Sequence, residues 1–123
     1  MKGSGSKIKR ILIVDDTDAV RRVLEDMFRI ESGFDVNTAA GGEVALEMLG
    51  QNKYDVLLVD LGMPVMSGTE LYQRIKERCP DAAEKVVFMS GGIRDTATEH
   101  FLEQAKRPFL LKPFKVDALM RYV

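Results

Sequence analysis

The sequence predicts a doubly wound α/β domain, a parallel five-stranded sheet with helices on both faces. Three observations predict it. Short apolar runs rich in Ile, Val and Leu recur five times along 123 residues, the segments between them carry apolar residues at helical spacing, and the runs end in polar residues. Strict alternation of strand and helix requires right-handed crossovers, which lay helices on both faces of a parallel sheet.

The first run, Ile8–Val14, halts at two aspartates, as a strand buried on both faces does. A helix from Thr17 to about Glu31 follows, because Val20, Val23, Leu24, Met27 and Phe28 form one apolar stripe. Phe34–Thr38 is the second strand, and Val44, Ala45, Met48 and Leu49 mark the second helix. After the third strand, Asp55–Val59, Ser67 and Glu70 read as a capping box opening a helix with Leu71, Ile75 and Cys79 on its apolar side. Val86–Met89 is the fourth strand. Thr96 with Glu99 reads as a second capping box, opening a helix that carries Phe101, Leu102 and Ala105. Phe109–Leu111 is the fifth strand, and a short fifth helix occupies Val116–Val123. Residues 1–7, Met-Lys-Gly-Ser-Gly-Ser-Lys, read as a flexible linker or a cloning remnant, which leaves residues 8–123 as one domain.

Hydrophobic residues at 46% and charged residues at 30% are the balance of a chain with a packed core. Eighteen basic against 19 acidic side chains give a net charge of −1, so the footprint of a nucleic-acid binder or polybasic membrane anchor is missing. Proteins and small ions are the expected partners. Cys79 is the single cysteine, which excludes an internal disulfide and a multi-thiolate metal site and fits a reducing compartment. No apolar run approaches the ~20 residues that span a bilayer, and the expected location is the cytoplasm. His100 has no metal-ligand companion and reads as a surface residue.

In doubly wound sheets ligands bind beyond the carboxyl ends of the strands. Those ends carry Asp15 and Asp16, then Asp60, Ser90 and Lys112. Crowded carboxylates repel and raise the pKa of at least one of them, so a divalent cation is the natural occupant, and hard oxygen ligands favour Mg²⁺. A carboxylate is also able to attack phosphorus and form an acyl phosphate, the role assigned to Asp60. Lys112 adds positive charge at the same oxygens, while the Ser90 hydroxyl and the Gly62 and Gly91 amides are donors for them. Taken singly, Asp16 or Thr17 reads as a helix cap, Asp18 as a solvent-facing helix residue, and Ser90 and Lys112 as turn residues. Their coincidence at successive strand ends of one sheet favours a site.

Over Ile8 to Val123 these residues resemble the response-regulator receiver family of two-component signalling. The resemblance rests on Asp15-Asp16, the segment Asp60-Leu-Gly-Met-Pro-Val-Met-Ser-Gly68, Ser90 before a small residue, and Lys112-Pro113-Phe114. It implies a flavodoxin-like (βα)5 domain with strand order 2-1-3-4-5. It implies Asp60 as phosphoacceptor for a histidine kinase or phosphotransfer domain, with Mg²⁺ on Asp16, Asp60 and the Gly62 carbonyl, and Asp15 acting mostly through water. Lys112 and Ser90 are then the phosphate sensors, and the Lys112–Pro113 bond is cis. The implied switch couples Ser90 to Phe109, where tyrosine is commoner. It alters the surface of the fourth helix, fifth strand and fifth helix for a downstream effector protein or domain. The implied catalysis is limited to the domain's own phosphorylation and dephosphorylation. Gly62 and Gly92 depart from the family, whose members often carry larger polar side chains there that influence acyl-phosphate hydrolysis. Gln104 to Phe114 resembles receivers attached to hybrid sensor histidine kinases.

Two other functions compete. Asp16-Thr-Asp-Ala-Val20 fits the Asp-x-Asp-x-Thr/Val signature of haloacid-dehalogenase-like phosphatases, with Asp16 as nucleophile and Asp18 as general acid or base. That reading gives Asp60 no task, and no acidic pair follows Lys112. The other is a pseudo-receiver that binds proteins independently of phosphorylation.

Overall fold

Alternating apolar runs and stripes become β1 Lys9–Val14, α1 Asp18–Ile30, β2 Phe34–Ala39, α2 Gly42–Gln51, β3 Val56–Asp60 and α3 Gly68–Arg78. There follow α4 Pro80–Ala83, β4 Val86–Ser90, α5 Thr96–Ala105, β5 Phe109–Leu111 and α6 Val116–Met120. The computed structural model describes residues 8–31, 33–92 and 95–122, so the proposed linker at 1–7 and the expected helix end at Val123 lie outside the described residues. The strands are all parallel and run in the order β2-β1-β3-β4-β5, the 2-1-3-4-5 arrangement of a doubly wound, flavodoxin-like sheet.

Side chains alternate across the sheet with a period of two and divide the core. Leu12, Val14, Leu57, Val59 and Phe88 face α2 and α3, with Phe101 and Leu102 of α5 packed against them. Ile11, Ile13, Leu58, Val87 and Met89 turn to the other face, where Leu24 and Phe28 of α1 and Leu119 of α6 cover them. Tyr72, Phe88 and Phe101 meet edge to face, with ring centroids 5.4 to 5.7 Å apart.

Register does the positioning. Val14 lies beside Val59, so the residues that follow, Asp15 and Asp60, leave adjacent strands at one level. Asp60 pairs with Met89, and Ser90 with Leu111, which brings Ser90 and Lys112 to the same edge.

Four local expectations are corrected. Val44 is exposed while Leu46 is buried, because Gly42 faces Met66 so closely that a Cβ there would meet its sulfur at 2.4 Å, and this sets the rotation of α2. Val23 is 59% exposed because it borders an apolar groove of about 270 Å³ between α1 and the segment Lys112–Phe114. The fourth long helix is capped by Asp95, whose carboxylate accepts from the Thr98 amide at 2.7 Å; Thr96 is the first helical residue. Pro80–Ala83 forms an additional turn of helix that no stripe announced. At Ser67 the cap forms as expected, with the hydroxyl accepting from the Glu70 amide at 3.2 Å, although Glu70 itself turns to Arg74.

Candidate functional site

Beyond the carboxyl ends of β1 and β3, the carboxylates of Asp15, Asp16 and Asp60 converge, each offering an oxygen within 4.8 Å of the others. Asp15 is fully buried, Asp60 is 7% exposed and Asp16 is exposed. Asp15 is held firmly. Its Oδ1 accepts from the Thr17 amide at 2.8 Å and its Oδ2 from Lys112 Nζ at 2.9 Å. Both oxygens are thereby engaged, so Asp16 and Asp60 keep the greater freedom to ligate.

Lys112 also stands 3.4 Å from Asp60 Oδ1, which accepts in addition from the Gly62 amide at 3.2 Å. That amide, expected to face a bound group, here holds the acid itself. The Lys112–Pro113 peptide bond is cis. Burial pushes the Asp60 carboxyl up; the Gly62 amide and Lys112 oppose the rise, and the charge of Asp15 adds to it. Burial is thus the leading cause, ahead of the crowding anticipated from the sequence. For Lys112, burial pulls the ammonium down, but the hydrogen bond to Asp15 and the charges of Asp60 and Asp15 together hold it above the usual lysine value. Three convergent carboxylate oxygens are a hard donor set, which fits Mg²⁺.

Ser90, 8% exposed, is turned to its own loop: its hydroxyl donates to the Gly92 carbonyl at 2.9 Å and accepts from the Gly92 amide at 3.1 Å. Phe109 is partly buried against the α2/α3/α5 side of the core. Asp18 is not in the cluster. Its carboxylate pairs with Arg21 one turn into α1, which removes the neighbour that the phosphatase reading needs beside Asp16. His100 is exposed and Cys79 caps the end of α3, partly buried. Arg21 also donates to the Asp15 carbonyl at 2.6 Å, a contact no motif signals because its acceptor is main chain.

The geometry defines a class, a doubly wound domain with an acidic, lysine-flanked centre at the carboxyl edge of its sheet. Comparison with known proteins makes it specific. The sequence profile described as response regulator receiver domain matches residues 11–123. The chain is 37% identical over 108 residues to a protein-glutamate methylesterase/protein-glutamine glutaminase of Desulfotalea psychrophila, covering 85% of this chain and 29% of that protein. It is 32% identical over 112 residues to the regulatory protein AtoC of Escherichia coli, covering 91% and 24% respectively. The chain therefore spans less than a third of the length of these two relatives. Among solved structures, the response regulator TrrA of Thermotoga maritima in complex with Mg²⁺-BeF superposes with a TM-score of 0.77 at 30% identity, covering 93% of this chain and 95% of that one. Chemotaxis protein CheY4 of Vibrio cholerae, at 23% identity and a TM-score of 0.82 over 94% and 99%, shares the fold. The chain belongs to the response regulator receiver domain family of two-component systems. Among the described residues, no helix is long and apolar enough to cross a membrane.

Proposed function

We propose that this domain accepts a phosphoryl group on Asp60 from a histidine kinase or phosphotransfer domain, with Mg²⁺ held by Asp16, Asp60 and the Gly62 carbonyl and by Asp15 through water. One observation carries the reading: three carboxylates from two strands share a 4.8 Å cluster whose nucleophile candidate, Asp60, has the Lys112 ammonium 3.4 Å away. Mg²⁺, when bound, neutralises and orients the oxygens of the transferred group. An Asp60 oxygen forms the new bond to phosphorus as the donor's phosphorus–nitrogen bond breaks, and the leaving imidazole takes a proton. Lys112 supplies the positive charge that stays with the product, and Asp15 fixes where that charge sits. The solved complex of TrrA with Mg²⁺-BeF supports the cation assignment.

Signal output follows from Ser90. Its hydroxyl leaves Gly92 for a phosphoryl oxygen, Phe109 turns into the space vacated, and the surface of α5, β5 and α6 changes for a downstream effector. The domain catalyses only its own phosphorylation and dephosphorylation, in the cytoplasm, without contacting nucleic acid. The resemblance of Gln104 to Phe114 extends the proposal to a hybrid sensor kinase as parent, which the full-length reading frame tests.

A small-molecule phosphodonor with Mg²⁺ tests the assignment. Label that is lost in Asp60→Asn and kept in Asp18→Ala supports the receiver, label that follows Asp16 supports the phosphatase, and no label at all leaves a phosphorylation-independent binding module.

A further inference from the structure

We propose that Arg21 is a positioning residue for the cation site, its guanidinium holding the peptide between Asp15 and Asp16 in the form that aims both carboxylates toward Asp60. This rests on reading the three aspartates as a Mg²⁺ site.

All four polar atoms of Asp15 are engaged. Its amide donates to the Ala39 carbonyl at 3.1 Å, its two carboxylate oxygens accept from Thr17 and Lys112, and its carbonyl accepts from Arg21 at 2.6 Å. That carbonyl lies outside the helical ladder, since α1 begins with the Arg21 amide donating to Thr17. It also belongs to a planar unit that includes the Asp16 amide, so rotating the plane swings the Asp16 side chain. Asp16 is exposed, so its aim depends chiefly on the backbone that carries it. Arg21 is suited to set it. The Arg21 side chain is only 17% exposed, and its second nitrogen is fixed by the Asp18 carboxylate, which presents the first to Asp15. Arg22, next along the helix, is exposed.

Charge and position predict opposite signs here. A guanidinium bound to the Asp15 carbonyl adds positive charge next to the acidic cluster, which opposes cation binding, so removing its charge alone tightens Mg²⁺. Losing its grip on the peptide weakens Mg²⁺, and outer-shell partners of metal ligands commonly matter by about tenfold or more.

The test is a Mg²⁺ titration of the whole chain, followed by amide NMR, in wild type, Arg21→Met, Arg21→Lys and Arg22→Met. Methionine and lysine both keep an unbranched apolar stem of good helix propensity, and lysine keeps a donor. The expected result is a Kd raised about tenfold in Arg21→Met, with Arg21→Lys within about twofold of wild type and Arg22→Met unchanged. In metal-free protein the Thr17 amide, which donates to Asp15, loses exchange protection in Arg21→Met alone. If methionine is not tolerated, Arg21→Gln, neutral and too short to hold the carbonyl, is expected to weaken Mg²⁺ similarly. Binding in the neutral variants as tight as in wild type, or tighter, overturns the proposal while leaving the metal site standing. A wild-type chain that does not respond to Mg²⁺ overturns both.

Discussion

Lys112 donates a 2.9 Å hydrogen bond to Asp15, 97 residues away along the chain and fully buried. Lys112→Ala strands that carboxylate. Breaking a fully buried pair costs about 3–5 kcal/mol, and because a quarter of the lysine side chain is exposed, about 2 kcal/mol is expected in metal-free protein. Saturating Mg²⁺ supplies the missing positive charge, so urea denaturation should show a smaller loss with the cation than in chelator. Equal losses in both conditions contradict the proposed cation site.

Two glycines separate close approach from ordinary helix chemistry. A Cβ on Gly68 would lie 2.5 Å from the Asp60 carbonyl oxygen and 2.8 Å from Leu61 Cα, so alanine there must displace the strand end that carries the phosphoacceptor candidate. Gly68→Ala is expected to cost about 3 kcal/mol, the upper end for overpacking, and to lower Asp60 labelling as well. Gly50, in α2, has open space about its Cβ position, and Gly50→Ala should stabilise by about 0.5 kcal/mol through helix propensity. Urea midpoints of the two variants measure the contrast.

Asp95 gives the pH dependence its clearest sign. The amide and hydroxyl of Thr98 hold its carboxyl below the usual carboxylate range. A pKa depressed by folding stabilises above the unfolded value and ceases to do so as pH falls through the folded value. The cap of α5 should therefore persist at neutral pH and loosen only in acid. The Thr98 amide resonance is the probe: its titration midpoint is expected below that of an unperturbed aspartate, and Asp95→Ala should abolish the transition.

The two-faced core and the meeting of Asp15, Asp16, Asp60 and Lys112 are legible in the sequence because a parallel sheet carries its strand ends to one edge, whereas the strand order follows only from the family resemblance. What escaped depended on contacts without a periodic signature. The rotation of α2 follows from one sulfur against Gly42, and the Pro80–Ala83 turn is too short to show a stripe. Thr96 competes with Asp95 for the same cap position, and hydroxyl-to-glutamate spacing alone cannot rank them. Arg21 went unseen for the same reason, since a carbonyl acceptor carries no residue identity. Ser90 was found as a strand-end hydroxyl, but its hold on Gly92 required coordinates.

The central claim is that Asp60 carries phosphorus. Incubation with a small phosphodonor and Mg²⁺, reduction of the acyl phosphate with borohydride and peptide mass spectrometry should convert Asp60 alone to homoserine, and chelator should prevent it. Conversion at Asp16 or any other carboxylate, or at Asp60 with the cation removed, would contradict the account.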